Sequence, residues 1–152
     1  MGITYGNGMV VAAGYTSGCR IATSADYYST TSRWTFDLVN ESGGNTIFYY
    51  NNMFVAGGEK GKMATSPDGT TWTAVMNSTF GTDEYIRGIT YGNGKFVAVG
   101  DKGKMATSEN GTTWTAVANS TFGTDTIRAI TYGNGKFVAV GINGKIAYLL
   151  DD

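Results

Sequence analysis

The sequence predicts an all-β fold, a β-propeller of four-stranded antiparallel blades, each about 42 residues long. Three observations predict it. The phrase Ile-Thr-Tyr-Gly-Asn-Gly stands at 3–8, 89–94 and 130–135, and Ile47-Phe48-Tyr49-Tyr50-Asn51-Asn52 takes its place in between. Asn-Gly between apolar runs suits a two-residue type I′ hairpin turn, because both turn positions need positive φ. The run after each turn, such as Phe96-Val97-Ala98-Val99, is apolar at consecutive positions, so its sheet must be covered on both faces. One unit cannot bury two apolar faces alone, so the units must stack.

The third unit gives the elements in order. Arg87 to Gly92 is a first strand, Asn93-Gly94 a hairpin turn, and Lys95 to Gly100 a second strand. Asp101-Lys102-Gly103 turns the chain into a third strand, Lys104 to Ser108. Asn110-Gly111 then leads into a fourth, Thr112 to Val117, and residues 119–125 connect to the next unit. Units two and three are near copies, 61–88 against 103–129. The first has drifted and carries an insertion, Tyr27 to Arg33, and the fourth stops after its third strand. The expected blades are 3–46, 47–88, 89–129 and an incomplete 130–152, within a single domain spanning 1–152. That makes about 3.75 blades per chain. A right-handed β-helix is the structural rival, but its shorter coils do not call for two or three hairpin turns per repeat.

Composition excludes several kinds of chemistry. Eleven basic and twelve acidic residues leave a net charge of −1 with no like-charge run, so neither nucleic acid nor an acidic membrane is an expected partner. The chain has no histidine, which removes Ser-His-Asp and Cys-His nucleophiles, the usual zinc sites and histidine acid–base catalysis. No cofactor and no metal site are expected. The lone cysteine, Cys19, excludes an intrachain disulfide and reads as a small buried apolar residue. No run approaches the ~20 apolar residues of a membrane span, and the start of the chain has no secretory pattern. Location is therefore open: the site of synthesis, release by lysis, a phage particle or other extracellular setting, or a fragment without its leader.

Ser66-Pro67-Asp68-Gly69-Thr70-Thr71-Trp72 resembles the Asp-box, or BNR, repeat of sialidase-like propellers, with the Asp-to-Gly spacing one residue tighter. The third unit has Ser108-Glu109-Asn110-Gly111-Thr112-Thr113-Trp114, with Asn110 in the Asp position. The resemblance implies a structural role: the Asp68 carboxylate caps turn N–H groups while Trp72 packs into the blade. Ser66, Gly69, Ser108, Gly111 and Trp114 belong to the same frame. The repeat style is also similar to bacteriophage tail or appendage proteins and bacterial surface proteins. Sialidase chemistry would need three clustered arginines and a tyrosine–glutamate pair. The chain has four arginines, Arg20, Arg33, Arg87 and Arg128, of which Arg87 and Arg128 fall at one repeat position. A non-enzymatic chain is expected.

Binding residues are sought where the repeat breaks, because loops on a rigid scaffold are where binding groups gather. Tyr27 and Tyr28 lie in the insertion of the first unit, and Tyr49, Tyr50 and Asn51 replace the repeated phrase in the second. Tyrosine gives rigid amphipathic area and asparagine adaptable hydrogen bonds. The expected ligand is a carbohydrate or another cell-surface group, with an assembly role through protein–protein contacts as the alternative and glycoside hydrolysis as a third reading. Arg87 and Arg128, at the start of first strands, offer an anion site, against a plain ion pair with Asp83 and Asp125. The tryptophans Trp34, Trp72 and Trp114 read either as sugar-stacking faces or as packing between blades. A short last blade leaves ring closure to be explained: a four-bladed ring, a fragment of a longer propeller, or a head-to-tail homodimer of half-rings, which the strong curvature of a four-bladed ring favours.

Overall fold

The computed structural model describes residues 1–15, 19–24, 35–38 and 44–150; Tyr27, Tyr28 and Trp34 lie outside them. Blade 1 comprises β1 (Gly2–Gly6), β2 (Met9–Tyr15), β3 (Cys19–Ser24) and β4 (Thr35–Leu38). Blade 2 comprises β5 (Gly44–Tyr50), β6 (Met53–Gly58), β7 (Met63–Ser66) and β8 (Thr73–Ala74). Blade 3 comprises β9 (Ile86–Gly92), β10 (Lys95–Gly100), β11 (Met105–Ser108) and β12 (Thr115–Ala116). Blade 4 has three strands, β13 (Ile127–Gly133), β14 (Lys136–Gly141) and β15 (Ile146–Leu150). Neighbours within each sheet are consecutive and antiparallel, so every blade is a meander. No helix among the described residues is long and apolar enough to cross a membrane.

The turns follow from their residues. Asn93 and Gly94 have φ of 42° and 77°, the left-handed pair of a type I′ turn, and Asn51-Asn52 keeps that geometry at 47° and 59°. Phe48, Tyr49 and Tyr50 therefore lie in strand β5 rather than in a displayed loop, and only Asn51 and Asn52 form the turn. The fourth strands are shorter than expected: β12 covers only Thr115 and Ala116. The reason is the preceding turn, where Asn110 Oδ1 takes the N–H groups of Thr112 and Thr113 at 2.9 and 2.8 Å and withdraws both from the ladder.

The first strands of successive blades lie against one another, β1 on β5, β5 on β9 and β9 on β13. The cores sit between blades, not within them. Val11, Ala13 and Ile21 of blade 1 meet Ile47 and Phe54 of blade 2; Val55 and Met63 meet Ile86, Ile89 and Phe96; Val97, Val99 and Met105 meet Ile127 and Phe137. Each such side chain contributes roughly 1.5–3 kcal/mol by leaving water, so stacking is what makes a blade stable.

A tyrosine and a glycine set the close approach of the inner strands. A Cβ on Gly6 would lie 2.1 Å from Cγ of Tyr49, and one on Gly92 would lie 2.1 Å from Cγ of Tyr132. The tyrosine of each following blade lies over the glycine of the blade before. In blade 2 that glycine position is Tyr50, and Tyr91 stacks on it, with centroids 3.6 Å apart and planes 17° apart.

Candidate functional site

The aromatic pair just described forms the floor of a cavity of about 340 Å³ between blades 2 and 3, lined by Tyr50, Asn51, Met53, Tyr91, Phe96, Glu109 and Asn110. Strand β5 carries Tyr50 to the blade end, and the left-handed turn lifts Asn51 beside it. Phe96 backs the pair edge-on, 4.8 Å from Tyr91 and 6.4 Å from Tyr50 between centroids. Tyr50 stays 43% exposed beside the cavity it lines. Burial, then the adjoining Tyr50 phenol, holds the Tyr91 pKa above the ordinary tyrosine value.

The opposite rim is the Ser108–Trp114 turn. Ser108 Oγ accepts from the Gly111 N–H at 2.8 Å, and Trp114 Nε1 donates to the Gly111 carbonyl at 2.9 Å. Asn110 Oδ1 is taken by the turn, so its Nδ2 is the donor it can offer a ligand. A second cavity of about 370 Å³, which includes Lys95 and Thr113, shares Glu109 and Asn110 and continues past the turn. The chemistry on offer is a flat apolar face bordered by two amides and one carboxylate.

The same turn in blade 2 uses Asp68. Its Oδ1 accepts from Thr71 N–H at 2.6 Å and Thr70 N–H at 2.8 Å, while Ser66 Oγ accepts from Gly69 N–H at 2.8 Å. Those backbone donors, Thr71 first and Thr70 next, hold the Asp68 pKa well below the ordinary carboxylate range. Trp72 Nε1 donates to the Gly69 carbonyl at 3.1 Å and its ring packs toward Phe54. Trp72 and Trp114 are thus held by their own turns and join the cores between blades, Trp72 against that of blades 1 and 2 and Trp114 within that of blades 2 and 3.

The remaining predicted residues lie elsewhere. Tyr49 turns to blade 1, over Gly6 and 4.5 Å from Phe54, with its hydroxyl donating to Asn52 Oδ1 at 3.2 Å. Arg87 and Arg128 are the extra residues of β-bulges in β9 and β13, and Asn45 is the extra residue in β5. Arg87 is paired through Nε with Asp101 Oδ1 at 2.6 Å, not with Asp83, and its guanidinium lies 5.1 Å from the Tyr85 ring centre. Burial raises the Asp101 pKa, but the Arg87 hydrogen bond, the Tyr85 N–H and the Arg87 charge outweigh it and leave it lowered. Asp125 pairs with Lys145 at 2.6 Å instead of an arginine, and Arg128 is exposed. Ile142 stands in blade 4 where Asp101 stands in blade 3, so the carboxylate partner is not repeated.

The sequence pattern missed Tyr91 and Glu109 as candidate site residues. Tyr91 belongs to an ordinary copy of the repeated phrase, and its role depends on the residue one repeat earlier. Aligning the glycine that follows each repeated tyrosine, and noting Tyr50 in its place, is the signal that finds it.

The comparison with known families decides the broader placement. A model of the DUF6242 beta propeller domain matches residues 12–152. The chain belongs to that family. No curated protein matches this DUF6242 propeller. Among solved structures it is similar to the computationally designed Ika4 protein, at 15% identity and a TM-score of 0.73, covering 98% of this chain and 89% of that one. It is also similar to the computationally designed Ika8 protein, at 11% identity and a TM-score of 0.70, covering 98% of this chain and 45% of that one. The DUF6242 propeller thus spans less than half the length of Ika8, and at these identities the likeness is one of fold.

Proposed function

We propose that this DUF6242 propeller is a non-catalytic binding module for carbohydrate, with its ligand seated on Tyr50 between blades 2 and 3. The observation that carries the reading is the Tyr50–Tyr91 stack under a cavity rimmed by Asn51, Asn110 and Glu109. A pyranose presents one apolar C–H face and a rim of hydroxyls, which an aromatic plane bordered by amides and a carboxylate complements. Among the described residues Glu109 is the one acid lining this cavity, whereas glycoside hydrolysis uses a carboxylate pair; that supports binding without turnover. The Ser66–Trp72 and Ser108–Trp114 turns take the Asp-box part, shaping the blade end rather than reacting. Extracellular or particle-borne display fits this role.

The test is a glycan array followed by titration calorimetry with the best binder. Tyr50→Gly restores the residue of the other repeats, so the fold should persist while affinity falls about tenfold or more, the worth of a lost stacking face. Asn51→Ala should weaken binding less. An array without a binder, or binding unchanged in Tyr50→Gly, overturns the proposal. Replacing Tyr27 and Tyr28 together by Ala tests whether the insertion of blade 1 takes part instead. A second reading, assembly through protein contacts, is favoured by the apolar end blades, where Ile3 and Ile146 are exposed.

A further inference from the structure

Each internal junction presses the same two faces together. The leading face of a blade brings the isoleucine and tyrosine of its inner strand. The trailing face of the blade before it offers apolar side chains from its second and third strands, with a glycine under the tyrosine ring in blades 1 and 3 and Tyr50 in that place in blade 2. At these junctions Ile47 and Ile89 are each 5% exposed, and the trailing Met63 and Met105 are 3% and 2% exposed. Cδ1 of Ile89 stands 3.2 Å from where a Cβ on Gly57 would lie, which fixes how the leading isoleucine meets the second strand.

The end blades carry these same faces in contact with solvent. On the leading face of blade 1, Ile3 is 68% and Tyr5 59% exposed. On the trailing face of blade 4, Ile146 is 60%, Tyr148 66% and Val140 38% exposed. Ile146 pairs with Val140 and Tyr148 with Val138 across β14 and β15, so they share one face. Ile146 occupies the repeat position of Met63 and Met105, and Val140 that of Gly57 and Val99. At Gly133, no described residue lies within 4 Å of the Cβ position, where at Gly6 and Gly92 a tyrosine ring lies. Contiguous exposed apolar surface of this kind marks an interaction site.

We infer that a second copy of this chain docks head to tail, its blade 1 seated on blade 4 with Tyr5 over Gly133 and Ile3 against Val140. The occupant follows from continuity: the two exposed faces are the two halves of an interface that the chain already forms at three internal junctions. A face built for another protein would have no reason to repeat that register. A heterologous contact either closes into a ring or grows into a filament. Each chain carries both faces, so the contact made twice between the same two copies closes a ring of two chains. This inference does not rest on the carbohydrate reading.

Size-exclusion chromatography with light scattering on the full chain tests it. The expected result is a species of twice the 16.1 kDa chain mass. Ile3→Asp and Ile146→Asp lie at opposite ends and place a charge in the proposed interface; each alone should return the 16.1 kDa species. Both residues are exposed within a single chain, so unchanged circular dichroism should show that the blades still fold. A parent chain that is monomeric at every concentration overturns the inference. So does mass that keeps growing past two copies, or a dimer that survives either substitution. Loss of the dimer in Ile3→Asp but not in Ile146→Asp points to blade 1 on blade 1 and overturns the head-to-tail arrangement.

Discussion

Asp68 and Asn110 do the same work at equivalent turns with different chemistry, and the difference is testable at one residue. Both side chains accept two successive backbone N–H groups through Oδ1. Only Asp68 titrates, and its folded pKa is depressed by those donors. A depressed carboxylate adds stability above the ordinary aspartate pKa and loses it as pH falls through the folded value. Asp68→Asn should therefore fold normally at neutral pH and flatten the acid limb of a pH–stability curve measured by denaturant melts. The capping role was legible in the sequence because it rests on residues a few positions apart. Gly92 was less so, since its need for a bare Cα comes from Tyr132 in the next blade. Gly92→Ala places a Cβ against that ring and should cost about 1–3 kcal/mol in chemical denaturation, whereas Tyr50→Gly should be tolerated.

At the scale of the element, strand order and hairpin turns were readable because they follow local rules. The Lys95–Gly100 strand was expected with the bounds the structure shows, since Asn-Gly fixes one end and the Asp101–Gly103 turn the other. The lengths of β8 and β12 were not readable, because side-chain caps compete there with the ladder for the same N–H groups. The connection between blades was also opaque, being built from long-range ion pairs. Glu84, 5% exposed in the link after blade 2, accepts from Lys104 Nζ at 2.8 Å and from Gly81 N–H at 2.7 Å, with Lys102 Nζ at 3.4 Å. Its burial raises the pKa, yet the Lys104 hydrogen bond, the Gly81 N–H and the Lys104 charge outweigh that and hold it below the ordinary glutamate value. The stability this supplies is present above that ordinary value and is lost as pH falls through the folded one. Glu84→Gln keeps the shape but not the charge, and should lower stability by roughly 1 kcal/mol at neutral pH. The gap from the parent should close in acid; a gap independent of pH would mean the link is held by packing alone.

Over the whole molecule, stability is shared between neighbours along the stack. A blade flanked on both sides buries two faces, and an end blade buries one. The repeat made this stacking legible, but not which faces meet, because the tyrosine-over-glycine register appears only when adjacent inner strands are placed together. Amide hydrogen exchange should read the consequence directly. Strands β6 and β10, each sandwiched between blades, should exchange slowest, since their opening requires breaking two cores. Strand β14 is sandwiched only if a second copy covers Val140 and Ile146. At concentrations where two chains associate, its amides should therefore approach the protection of β10. On dilution, or in Ile3→Asp, β14 should speed up while β10 holds nearly constant. If β14 exchanges fast at every concentration, the end face gains nothing from association. If all strands change together, association supports global unfolding stability rather than the one junction at Gly133.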